Sequence, residues 1–499
     1  MNDRVADNKG ALAKAIHSGK WMLYGTATQK ILSVATFFIL ARILTPEHYG
    51  IIAVVLMITS TTNLMTSHGL EMAIAQRGVD VEKYLDSIWT LNILRALALA
   101  ILIFILSKPL SIFFHIPTAV NILRVGGLLL IAIHLINVRQ IHFVINLDFK
   151  KLFWRDFAGQ IAYTISALSW ALFVQASAWA LLVGHMARQI VSDVVTYIEY
   201  PCWPRLSFKF RPLLNFIGYS KWISGQVVLD YITNFIDPIF VGRMLGPSNL
   251  GLYSKANELA STATATLLSI MRKISFYAYN TVQSDLQKIQ KGFIKSLDVI
   301  GLIMFPFSFL IFIEGEAIVS MLLGQRWLLL VVPLKILAIA NFLDSISGIF
   351  NPVFNILGKP KINAYATLLR LISSLALLYF AAKWWGMTGV AVAILIMAFL
   401  VLLYNIWESM ALLKLGWRKV MPSILQPVVS LVPLFVLFLF LQESIHKIEN
   451  AYLTVVWLIL LLAIYAISFL LLSRFFKQGP RNTIIDILAE FKHKGDLIS

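Results

Sequence analysis

Apolar runs of roughly 20 residues alternate along this chain with short polar segments, and at about 1.5 Å per residue each run is long enough to cross a bilayer as a helix. In order, the runs lie near 18–42, 48–70, 86–107, 119–145, 153–174, 177–199, 216–242, 249–274, 292–313, 328–352, 362–382, 388–411, 422–442 and 451–473. The pattern predicts an all-α polytopic membrane protein with about fourteen transmembrane helices. One stretch is used twice. Lys20-Trp21 opens an apolar run that closes on Arg42-Ile43-Leu44-Thr45-Pro46 and Gly50, and Lys221-Trp222 opens another that closes on Arg243-Met244-Leu245-Gly246-Pro247 and Gly251. Lys, Trp, Arg, Leu, Pro and Gly recur at a constant offset of 201 positions, as a duplicated helical hairpin requires.

Six spans precede the second copy, so both copies enter the membrane from the same side. Parallel repeats of this kind are related by a pseudo-two-fold axis along the membrane normal. The expected architecture is two parallel six-helix lobes around a central cavity, plus two C-terminal helices. Its parts are 1–205 (helices 1–6), 206–415 (helices 7–12), 416–475 (helices 13–14) and a cytoplasmic tail, 476–499. The tail reads either as an interfacial helix, from its apolar residues among charges, or as a disordered segment. The stretch from about Ala11 to His17 reads as a further interfacial helix.

Composition supports the membrane reading, since 59% of the 499 residues are hydrophobic and 13% are charged. Soluble domains carry about a quarter of their residues charged. The net charge of +17 does not call for nucleic acid, because the cations sit between apolar runs instead of along one solvated face. Sorted by the alternating loops, 27 Lys and Arg fall on one side and 6 on the other. By the positive-inside tendency that places both termini in the cytoplasm. Cys202 is the sole cysteine, which excludes an intramolecular disulfide and a zinc cluster.

Ionisable groups inside the spans are costly and are expected to face a cavity or a partner. The embedded cations include Lys30, Arg95, Arg188, Arg124 and Arg139 in the first lobe, and Lys255, Lys335 and Arg370 in the second. The embedded anions are Asp230, Asp237, Glu258 and Asp344. Helix spacing lines up Thr26, Lys30 and Ser33, with Gln29 and Thr36 beside them, and on helix 7 Gln226, Asp230, Thr233, Asn234 and Asp237. Lys30, Arg95 and Arg188, with Arg124 and Arg139 nearer the span ends, are candidates to bind an anionic substrate. The competing reading is internal pairing. Asp230 and Asp237 are candidates for a coupling H+ or Na+, again against pairing. Neither catalytic residues nor a metal site nor a bound cofactor is expected.

The segment Ala41 to Ile51, with Gly69-Leu70-Glu71 and Ala75-Gln76-Arg77, resembles the opening of bacterial polysaccharide transporters of the oligosaccharide flippase family, in the multidrug/oligosaccharidyl-lipid/polysaccharide superfamily. Trp179-Ala180-Leu181-Leu182-Val183-Gly184, Pro204-Arg205-Leu206-Ser207-Phe208 and Leu357-Gly358-Lys359-Pro360-Lys361 extend the resemblance over nearly the whole chain. It implies alternating access and a cargo of undecaprenyl-pyrophosphate-linked oligosaccharide, moved across the bacterial cytoplasmic membrane for cell-surface polysaccharide synthesis. The implied partners are that lipid-linked oligosaccharide, membrane lipids and other polysaccharide-assembly proteins. The alternative is a multidrug or small-cation exporter of the same superfamily, for which a cationic first lobe is poorly suited.

Overall fold

The computed structural model describes residue 25 and residues 28–64, 82–145, 148–209, 211–283, 285–433, 435–436 and 451–472. The segments proposed as interfacial helices near 11–17 and 476–499 lie outside them. Among the described residues every regular element is helical.

Proline and glycine set the breaks. Helix α1 (28–43) ends before Pro46, which opens α2 (Pro46–Leu64) at the position where a missing N–H costs nothing. Then come α3 (Glu82–Phe113), α4 (Val120–His134), α5 (Phe149–Ser169) and α6 (Ala178–Glu199). The long stretch Arg211–Thr281 breaks at Gly246, whose φ of 83° suits a residue without a side chain. This gives α7 (211–245) and α8 (247–281), and Pro247 opens α8 as Pro46 opens α2. Helices α9 (Leu286–Leu322) and α10 (Val331–Ile356) follow. Pro360–Leu413 breaks at Gly386 into α11 (360–385) and α12 (387–413), and α13 (Trp417–Ser430) and α14 (Ala451–Leu472) complete the order.

Two boundaries depart from the hydropathy pattern for identifiable reasons. The apolar run 119–145 was expected to form one helix, yet α4 stops at His134. Buried Asn137 turns the chain there: its Oδ1 accepts from the Arg139 N–H at 3.1 Å, and its Nδ2 donates to the Tyr200 and Cys202 carbonyls. Helix α9 is longer than its run, at 37 residues. That length exceeds what the hydrocarbon core of a bilayer needs. Hydropathy marks only the part that suits lipid, whereas the hydrogen-bonded helix continues past it at both ends. Among the described residues, six helical stretches are long and apolar enough to cross a membrane: Tyr84–Phe113, Pro117–His134, Phe149–Val174, Leu286–Leu322, Gln325–Ile356 and Pro360–Leu413. The figure of about fourteen spans comes from the hydropathy pattern.

The chain forms two compact units, Met1–Leu252 and Tyr253–Ser499. In the first, small residues let helices approach closely, as expected where lipid removes the hydrophobic drive for helix association. Gly126 of α4 meets Val55 of α2, Gly159 of α5 meets Arg188 and Ser192 of α6, and Gly184 of α6 meets Tyr163 and Ala167 of α5. In the second, an aromatic and aliphatic core joins Phe293 of α9, Phe350 and Phe354 of α10, and Leu402 and Ile406 of α12. The two C-terminal helices belong to it. Trp457 of α14 donates to the Glu314 carboxylate of α9 at 2.8 Å, and Ser468 donates to the Ser430 carbonyl at 2.8 Å.

Candidate functional site

Helix registry places two of the predicted cations at one height. The position of Gly25 packs on Phe153, and Thr36 hydrogen-bonds Thr164 at 2.8 Å, so α1 runs parallel to α5 at a constant offset of 128 residues. Lys30 therefore lies level with Ala158. One residue on, Gly159 packs so closely on α6 that a Cβ there would come within 3.3 Å of the Arg188 side chain. Lys30, which is exposed, and Arg188, which is half-buried, therefore lie at about the same level along α5, within about one helical turn.

Arg95 comes from α3, within Coulomb range of His134 at the end of α4. The buried His134 donates from Nδ1 to the Leu130 carbonyl at 2.8 Å. Arg95 Nε and Nη2 are buried without a hydrogen-bond partner among the described residues. An unpaired guanidinium donor in such a setting carries a desolvation penalty of roughly 1–3 kcal/mol or more unless something accepts from it.

Carboxylates could have neutralised these three cations, but the described ones on α3, α5 and α6 are engaged elsewhere. Glu82 and Asp86 hold Arg139 at 3.4 and 3.2 Å, and Glu82 also meets His142. Asp148 and Glu199 flank Lys151, and Asp156 holds Arg155 at 2.7 Å. The buried Asp193, one turn from Arg188, accepts from Gln189 at 2.8 Å. Among the described residues Lys30, Arg95 and Arg188 have no ion pair.

The other two candidate cations are placed differently. Arg139 sits in the turn after α4 within its carboxylate pair, so internal pairing describes it. Arg124 donates to Ser107 at 3.2 Å and lies 5.0 Å over the Phe104 ring, an arrangement of cation and π face. On α7 the predicted polar stripe divides, with Thr233 and Asp237 buried and Asn234 exposed. Asp237 is engaged by a neighbouring group. The side chains of Asp230 and Gln226, and all of Thr26, lie outside the description. No group of three metal-ligating side chains occurs among the described residues.

In the second unit charges pair within the helices. Lys255 Nζ meets Glu258 Oε2 at 2.6 Å on α8, and Arg370 of α11 pairs with Asp344 of α10. Arg370→Ala alone is expected to lower stability by on the order of 2 kcal/mol, because it strands a part-buried carboxylate. Adding Asp344→Ala should recover most of the loss, and thermal unfolding of the two single variants and the double variant in detergent measures that coupling.

The motifs after α1 and α7, which the sequence marked as a repeat, are joined in space. Sequence reasoning missed this contact, since an offset of 201 shows equivalence but not adjacency. The Gly50 and Gly251 positions lie against the Pro247 and Pro46 carbonyls respectively.

Helices of membrane length, a duplicated hairpin and a first unit with cations that have no ion pair among the described residues define a polytopic helical membrane transporter. Residues 39–332, more than half of the chain, match the family of polysaccharide biosynthesis proteins, and the chain belongs to that family. The lipopolysaccharide biosynthesis protein WzxC of Escherichia coli K12 is 22% identical over 358 residues, 69% of this chain and 70% of that protein. Among solved structures, the inward-closed lipid II flippase MurJ matches with a TM-score of 0.71 at 13% identity, covering 92% of this chain and 98% of its own. An inward-facing multidrug MATE transporter matches at 0.59 and 15% identity, covering 78% and 96%. At these identities the structural likenesses speak to fold, and both neighbours are transporters.

Proposed function

We propose that the protein is a flippase that moves a lipid-linked oligosaccharide, held through an undecaprenyl pyrophosphate, across the bacterial inner membrane for surface polysaccharide synthesis. Lys30, Arg95 and Arg188 carry this reading. Three cations from three helices, with the nearby carboxylates occupied, leave a deficit of negative charge that a diphosphate supplies, and guanidinium groups suit its paired oxygens. The names of the relatives, a lipopolysaccharide biosynthesis protein and a lipid II flippase, favour the same cargo. A small-cation exporter would meet repulsion from that charge. In this reading both termini are cytoplasmic, the repeats 1–205 and 206–415 act as the two moving lobes, and H+ or Na+ drives the cycle.

The test uses the purified chain in proteoliposomes loaded with a fluorescent undecaprenyl-pyrophosphate oligosaccharide in one leaflet. Protein-dependent transfer to the other leaflet is expected, with no extrusion of cationic dyes. Dye extrusion without lipid transfer would favour the exporter.

A further inference from the structure

Between α6 and α7 the chain crosses the start of α3 as a strap without helical structure, and the segment it carries, Pro204-Arg205-Leu206-Ser207-Phe208, has no part in the candidate substrate site. Polar groups beneath hold it. Asn137 Nδ2 donates to the Tyr200 and Cys202 carbonyls at 2.9 and 3.0 Å, the Ser207 N–H donates to Thr90 Oγ1 at 2.8 Å, and the Ser207 and Ser87 hydroxyls share a hydrogen bond of 2.9 Å. The Trp203 ring stacks on Tyr197 of α6 with centroids 4.5 Å apart, and the Tyr197 hydroxyl donates to the Leu135 carbonyl at 2.9 Å. The strap is thus tied at Cys202 to the turn after α4 and at Ser207 to α3, which fixes the backbone between them.

Helix α3 shows what surrounds the strap. Ser87 and Thr90 share one face with Leu94, Leu97, Ile101 and Ile105, at the three- and four-residue spacing of a helix. The four apolar residues are exposed along a stretch of membrane length, so that face meets lipid. Ser87 and Thr90 continue the same stripe but are buried, because the strap covers them. Thr90 comes six residues after Tyr84, where the apolar stretch begins, or about 9 Å along the helix. The strap therefore lies at headgroup depth, between α3 and the surrounding lipid. Exposed on it are Trp203, Leu206 and Phe208, at 75%, 68% and 66%, together with Arg205 and Lys209. Neither cation has an ion pair among the described residues.

We propose that this strap is a binding site for an anionic phospholipid of the leaflet on its own side, cytoplasmic by the loop-charge asymmetry. Arg205 and Lys209 hold the phosphate, their stems lying along apolar surface with the charged heads at the interface. Trp203, Leu206 and Phe208 rest among the first acyl carbons, where aromatic rings at a membrane boundary are favoured. A phospholipid matches both halves of this surface. A glycan could stack on Trp203 but would leave Leu206 and Phe208 in water, and the strap offers no concave pocket to enclose one. The proposal is independent of the flippase reading.

The test titrates the purified full chain in detergent with dioleoylphosphatidylglycerol or dioleoylphosphatidylcholine and counts retained lipid by native mass spectrometry. Phosphatidylglycerol is expected to bind about tenfold more tightly than the zwitterionic lipid. Arg205→Gln and Lys209→Gln should each weaken it by about fivefold, and the double variant by about twentyfold. Lys108→Gln, which removes an exposed cation elsewhere on α3, should leave it unchanged. Should the strap variants fail to accumulate, a fluorophore on Leu206→Cys, with Cys202→Ser, decides in nanodiscs with both cations in place. Brominated phosphatidylglycerol is expected to quench it more than brominated phosphatidylcholine does. Equal retention of the two lipids, unchanged retention in the double variant, or equal quenching overturns the proposal. Undecaprenyl pyrophosphate that displaces phosphatidylglycerol at equimolar amounts, through the same two cations, would assign the strap to a lipid-linked cargo and overturn the phospholipid site.

Discussion

Alanine at Arg188 or at Lys30 is expected to cut export of every lipid-linked glycan the protein accepts by about ten- to a hundredfold. A hydrogen bond to a charged group contributes roughly 1.5–3 kcal/mol, and each increment of about 1.4 kcal/mol is a factor of ten. The two cations lie at about one height along α5, by the contacts of Gly25 with Phe153, of Thr36 with Thr164 and of Gly159 with Arg188. A diphosphate is common to all such cargoes, so the loss should not depend on the sugar. Arg188→Lys keeps the charge but not the two-pronged geometry, and should retain part of the rate. Arg139→Ala provides the contrast: it leaves Glu82 and Asp86 without their partner and should lower protein abundance more than the rate per molecule. Export rates of variants matched for membrane abundance, measured with at least two glycans, decide the matter. A defect confined to one glycan, or full transport by both alanine variants, would make these cations packing elements.

The helices and their punctuation were readable from the chain because lipid imposes a length and an apolarity on each span and because Pro46, Pro247 and Gly246 act locally. The end of α4 was not. Asn137 stops that helix through bonds to carbonyls more than 60 residues away, and no local pattern announces them. The same limit explains the candidate cations. Periodicity placed Arg95 within an apolar run and Arg139 nearer the end of one, but only the fold brings Glu82 and Asp86 to Arg139 while leaving Arg95 nitrogens buried without a partner among the described residues. The repeat offset identified equivalent turns. Their contact at Gly50 and Gly251 depends on how two hairpins dock, which one-dimensional similarity does not encode.

Asp237→Asn is expected to abolish the part of transport that depends on an ion gradient while leaving substrate binding largely intact. A charged group inside a span is costly, up to about 2.5–3.5 kcal/mol at the bilayer centre on insertion scales and less toward the span ends. A carboxylate kept 7% exposed on α7 has to offset that cost through a partner or through a proton or cation it takes up. The amide matches the protonated acid in shape and hydrogen-bonding capacity but cannot cycle between charged and neutral forms. Position strengthens the argument. Asp237 is eight residues from Leu245, about 12 Å along one helix, and beyond Leu245 the chain turns at Gly246 into the Pro247–Gly251 crossing. If Asp237 couples an ion to transport, a change of its charge would act on the packing of α7 next to that turn. Counterflow of labelled substrate without a gradient, uphill transport with one, and binding to the purified variant separate the outcomes. Loss of uphill transport with counterflow and binding preserved supports coupling at Asp237, whereas parallel loss of all three together with protein abundance would assign the carboxylate to the internal packing of α7.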